Sequence, residues 1–139
     1  IGTGNEEKEL TKLVKKHNLV NNFTFIDRLP HEQIFVAHKL SDIYVSMNHL
    51  GNLSNSNLEA IQSNSCMVLP TQQMDNGVDV VTNKLLSDSV VTAPIKSPDL
   101  LANALHSLIL SKDKREAMSK LIRTKKKNFL KEWNEALKQ

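Results

Sequence analysis

Apolar residues recur along this chain in two ways: at three- to four-residue spacing in some stretches and as short continuous runs in others. Leu10, Leu13 and Val14 form the stripe of a helix predicted from Asn5 to His17. Glu6, Glu7 and Glu9 fall in its first turn, where the helix dipole favours acids. Phe23-Thr24-Phe25-Ile26 is aromatic and β-branched, and it ends at Asp27-Arg28-Leu29-Pro30, so it predicts a strand and a turn. His31 to Leu40 predicts a helix with Ile34, Phe35 and His38 on or near its inner face.

The alternation continues. Asp42 to Ser46 predicts a strand, Asn48 to Ser54 a polar loop, and the segment containing Leu58, Glu59 and Ile61 a helix. Cys66 to Leu69 predicts a strand stopped by Pro70, followed by a polar loop from Thr71 to Gly77. A short helix around Val80 to Leu86 and a strand at Ser89 to Thr92 come next. Ser97-Pro98-Asp99 supplies an N-cap, a proline at the first helical position and an early acid for a helix bearing Leu100, Leu101, Ala104, Leu105, Leu108 and Ile109. From Lys112 to Gln139 the spacing stays helical, with Met118, Leu121, Ile122, Phe129, Trp133 and Leu137 inward. Short strands alternating with helices imply an α/β fold, a Rossmann-like parallel sheet with helices on both faces, whose ligands sit at the carboxyl ends of the strands.

At 139 residues the chain has room for one domain, 1–139, and the opening Ile1-Gly2-Thr3-Gly4 reads as cut from a longer protein. Its net charge of +3 comes largely from the stretch Lys112 to Lys131, where lysines fall between the apolar residues as on a solvated helix face. With aromatics at only 4%, a nucleic-acid partner is not expected. No apolar run approaches the roughly 20 residues of a transmembrane segment. The single cysteine, Cys66, lies in an apolar run and reads as a small buried side chain in a reducing compartment. The five histidines show no metal-ligand spacing and no triad arrangement, so no metal and no cofactor are expected; His49 borders the loop considered next.

Among the carboxyl-end loops, Gly2-Thr3-Gly4 is a glycine turn of low specificity. The segment Asn48 to Ala60 carries more chemistry. A polar loop with small side chains enters a helix whose first amides point outward, an arrangement that can hold a diphosphate without a lysine. Glu59, about one turn into that helix, is placed to accept hydrogen bonds from ribose hydroxyls. The plainer reading of the same residues is an N-capped helix with a surface glutamate.

The order of these residues resembles the C-terminal domain of family 4 (group 1) glycosyltransferases of the GT-B fold. Ile1 to Gly4 resembles the strand and Gly-x-Gly opening, Asn22 to Pro30 the segment "N-V-x-F-x-G-x-V-P", and Leu40 to Ser46 the strand "A-D-V-x-V-x-P-S". Gly51 to Ala60 resembles "E-G-F-G-x-x-x-x-E-A", and Ser97 to Leu105 the helix "D-P-x-x-L-A-x-A-I". The resemblance implies a retaining transferase whose nucleotide-sugar donor meets Gly2, Gly4, Gly51, Asn52, Leu53, Ser54, Asn55, Ser56 and Glu59. By the same resemblance Glu59 takes the ribose and the amides around Leu53 to Ser56 take the diphosphate. A missing N-terminal acceptor domain, cytoplasmic location and membrane contact through that missing half are also implied. The sequence departs from the pattern at Gly51, where the family has a glutamate, at Asn52 and Ser54, where it has glycines, and at Asp27. Those departures leave a non-catalytic binding or scaffold module as the alternative. An unrelated flavodoxin-like receiver lacks support, because the acids expected after its first strand are absent.

Overall fold

The computed structural model describes residues 1–48, 54–71 and 86–136. They fall into two compact units, Ile1–Ile34 and Phe35–Gln139.

In the first unit, helix α1 spans Glu7–Lys16, with Glu7 and Glu9 in its first turn and Lys15 and Lys16 in its last, both signs matching the dipole. It ends in a Schellman arrangement: the Asn18 amide bonds Lys15 O at 3.1 Å, and the Leu19 amide bonds Val14 O at 3.0 Å. That closure needs a left-handed residue, and Asn18 supplies it at φ 57°. A single 3-10 turn at Val20–Asn22 leads into Phe23 to Ile26. The predicted strand here does not form. Phe23 is extended, and the Phe23 and Phe25 rings stack with centroids 6.5 Å apart, as i and i+2 side chains of an extended chain do. Ile26 O accepts from the Gly2 amide at 2.8 Å, but one such bond makes no ladder. Helix α2 spans His31–Leu40, as its periodicity predicts, and the division between the units falls within it.

The second unit is built on a parallel sheet in the order β1-β2-β3: Tyr44–Val45, Met67–Pro70 and Val91–Ala93. Tyr44 pairs with Met67, and Val68, Leu69 and Pro70 with Val91, Thr92 and Ala93. β2 stops at Pro70, as the sequence predicts, with the proline itself as the last residue of the strand. The proline lacks an amide, and the ladder resumes at the next residue, where the Thr71 amide bonds Ala93 O at 2.8 Å.

β2 is buried along its whole length, and its alternation divides the core into two layers. Met67 and Leu69 pack with Ala60, Ile61, Leu86, Val90 and Ile122. Cys66 and Val68 pack on the other side with Leu108 and Met118. Ala60 and Ile61 belong to helix α3 (Asn55–Gln62), Leu108 to helix α4 (Pro98–Ile109), and Met118 and Ile122 to helix α5 (Lys112–Ala136). Helices therefore cover both faces of a parallel sheet, the α/β Rossmann-like architecture expected from the alternation of elements.

Two local expectations for the last helices change. Ser97 precedes Pro98 at the head of α4, but its side chain makes no capping bond; its carbonyl accepts the Leu101 amide at 3.1 Å. The cap with a side-chain bond is Ser111, whose hydroxyl accepts the Lys114 amide at 3.2 Å at the head of α5. Leu121, assigned inward by spacing, is exposed, as are Leu100 and Ile109 of the helical stripe of α4. Lys125 ties α5 to the 3-10 turn Ser87–Ser89, donating to Leu86 O at 2.7 Å and to the Asp88 carboxylate. That ion pair holds the exposed Asp88 carboxyl below its ordinary range. The helix expected around Val80 to Leu86, save Leu86 itself, and the loop after Thr71 lie outside the described residues, as do Leu137 and the side chains of Phe129 and Trp133. Among the described residues no helix is long and apolar enough to cross a membrane.

Candidate functional site at the head of α3

The strand β1 ends at Val45, and Ser54 is the N-cap of α3. Ser54 is extended, and its hydroxyl accepts the Asn57 amide at 3.2 Å, while its carbonyl accepts the Leu58 amide at 3.0 Å. The amides of Asn55 and Ser56 head the helix, where α-helical geometry provides no intrahelical acceptor. Both residues are exposed. The described part of this segment therefore ends in a capped helix start with outward amides and the positive end of a helix dipole, the chemistry that suits a phosphate.

One turn further in, Glu59 is half-buried rather than fully solvated. Its charge acts on two rings in the same layer, His38 of α2 and Tyr44 of β1. The rings lie 5.2 Å apart, inclined at 56°. Burial pushes the Tyr44 phenol above its ordinary value, a shift that hydrogen bonding with Ser46 and Ser56 opposes and the Glu59 carboxylate reinforces. Burial pulls His38 below its ordinary value, and Glu59 works against that shift. His38 Nδ1 also lies 3.4 Å from Ser65 Oγ.

Of the residues assigned to donor contact, the structure brings Ser54, Asn55, Ser56 and Glu59 together within the first turns of α3. Gly51, Asn52, Leu53 and the adjoining His49 lie outside the described residues. Gly2 and Gly4 belong to the first unit. A Cβ built at either would meet nothing within 4 Å, so neither glycine is needed for packing against protein; Gly2, at φ +122°, is required by its backbone conformation.

Sequence reasoning did not single out Tyr44 and Asn57. The Tyr44 hydroxyl donates to Asn57 Oδ1 at 3.0 Å, and Asn57 is 1% exposed. A signal was available: Asn57, Ala60 and Ile61 occupy one i, i+3, i+4 stripe, so a polar residue stands on the inward face of an otherwise apolar helix side. No cluster of three or more His, Cys, Asp or Glu able to hold a metal occurs among the described residues.

A family model described as "Glycosyl transferases group 1" matches residues 1–125. The chain belongs to the group 1 glycosyl transferases, enzymes that move a sugar from a donor to an acceptor. No curated protein and no solved structure matches it.

Proposed function

We propose that this chain is the C-terminal, donor-binding half of a retaining family 4 glycosyltransferase of the GT-B fold. The sugar arrives on a nucleoside diphosphate and leaves to an acceptor hydroxyl held by another domain. One observation carries this reading in a group 1 glycosyl transferase: Glu59 is half-buried one turn inside a Ser54-capped helix that follows a strand of a parallel sheet.

The diphosphate rests at the head of α3, where the outward amides of Asn55 and Ser56 and the helix dipole meet its charge. Glu59 accepts hydrogen bonds from the ribose hydroxyls. As the glycosidic bond breaks, negative charge grows on the departing diphosphate, and fixed amide dipoles stabilise it with little reorganisation. No step requires a metal ion or a further cofactor. The acceptor is held by the other domain and the basic phosphate contacts by residues upstream of the glycine turn, so residues 1–139 alone bind donor weakly and do not turn it over.

Gly51 favours a second reading, a GT-B-like binding or scaffold module without transfer, because the family's carboxylate is missing there. Titration calorimetry of nucleoside diphosphates into the intact protein and its Glu59→Gln variant tests the site. Charge-assisted hydrogen bonds are worth about 1.5–3 kcal/mol, so affinity falls roughly ten- to a hundredfold at ~1.4 kcal/mol per decade. Stability stays within about 0.5 kcal/mol. Equal affinities remove the nucleotide from this helix. Glycoside formation by the intact protein separates the transferase from the scaffold, and turnover by residues 1–139 alone overturns the half-enzyme reading.

A further inference from the structure

The corner between α4 and α5 combines exposed apolar and cationic groups. Ile109 and Leu110 are 63% and 72% exposed. The corner is nonetheless held firmly: the Arg115 guanidinium donates to Leu108 O at 2.6 Å and Ile109 O at 3.1 Å, closing the carbonyl end of α4. Lys114 Nζ reaches back to Ser107 Oγ at 3.1 Å. The apolar pair is thus presented by a braced turn.

A groove of about 360 Å³ begins at Lys112, just after Leu110, and runs along α5 past Ser119, Lys120 and Arg123, with Asp42 on its other wall. Its two acids are already engaged. Asp42 lies 3.5 Å from Arg115, and Glu116 lies 3.6 Å from Lys112. Lys120 and Arg123 have no ion-pair partner among the described residues. Lys126, further along the helix, is held below its ordinary pKa first by burial and then by the charge of Arg123, so the positive field continues down the helix.

Exposed aliphatic side chains at the start of a helix that carries unpaired cations further along suit a surface that is itself anionic outside and apolar beneath. A nucleic acid would use the cations and leave Ile109 and Leu110 in water. We propose that the α4–α5 corner docks the protein on an anionic phospholipid bilayer. Ile109 and Leu110 enter the headgroup boundary, and Lys120 and Arg123 take lipid phosphates along the groove. This contact is made by residues of this chain and does not depend on the donor site.

Vesicle co-sedimentation decides it, with phosphatidylglycerol mixed into phosphatidylcholine in one arm and phosphatidylcholine alone in the other. The protein partitions to the anionic vesicles and is released by added salt. Ile109→Ser with Leu110→Ser, and separately Lys120→Glu with Arg123→Glu, each lower the partition coefficient roughly tenfold or more. All four side chains are exposed, and circular dichroism of each variant matches the parent. Equal binding to neutral vesicles, or variants that bind like the parent, overturns the proposal. So does tighter binding to an RNA duplex that is indifferent to the Ile109 and Leu110 changes.

Discussion

The hydroxyl of Tyr44, the first residue of β1, donates across 3.0 Å to Oδ1 of Asn57 in the first turn of α3. Asn57 is 1% exposed and Tyr44 packs against the layer containing Met67, Leu69 and Ile122. Asn57 also gives its amide to Ser54 Oγ, so the same residue is bonded to the cap and to the sheet. The start of the helix that heads the candidate site is therefore registered against the strand before it by a buried polar contact.

Tyr44→Phe should destabilise the protein by about 1–3 kcal/mol, because it keeps the ring and strips a buried acceptor of one partner. Urea denaturation of Tyr44→Phe, Asn57→Ala and the double variant measures the coupling. Additive losses would show that the contact contributes nothing of its own.

Adjacent residues of α5 should respond very differently to truncation. Ile122 is 0% exposed and Leu121 is 41% exposed. Ile122→Ala should cost about 2–5 kcal/mol through lost burial and a residual cavity. Leu121→Ala should cost far less, a contrast read from the two denaturation midpoints.

The neutral form of His38 is favoured in the folded state, because burial lowers its pKa from the ordinary value of 6.5. The unfolded chain then binds the proton more readily. His38 thus contributes stability that is fully present above pH 6.5 and is lost as pH falls through the lower folded value. Melting temperatures of the parent should drop across that window more than those of His38→Gln, and identical pH profiles would refute the assignment.

Cys66 should resist thiol reagents in the native protein. It is 3% exposed, and burial raises its thiol pKa against the opposing pull of Arg115 and Lys114. Labelling with an aromatic disulfide reagent should follow urea unfolding, with no fast native phase.

Much of the fold was legible because helices and their ends are specified locally. α2 appears at its predicted bounds, Pro98 opens α4 and Ser54 caps α3, all from side chains within a few residues of one another. The burial of Cys66, Met118 and Ile122 also followed from apolar runs and helical spacing. The candidate site was legible in part: Ser54 to Ser56 and Glu59 gather at one helix head because they are neighbours in sequence.

What the tertiary structure alone decided concerns partners distant along the chain. Phe23 to Ile26 has strand composition but no ladder, since a strand exists only with a second one to bond. Pro70 ends β2 inside the sheet because Ala93 stands opposite. Leu100, Ile109 and Leu121 have helical spacing but exposed side chains, because periodicity names a face without saying how far its neighbours reach across it. Tyr44 and Asn57 each look ordinary in sequence. Their bond arises because the parallel sheet brings β1 beside β2 and α3 packs back over both, and no local rule encodes that meeting.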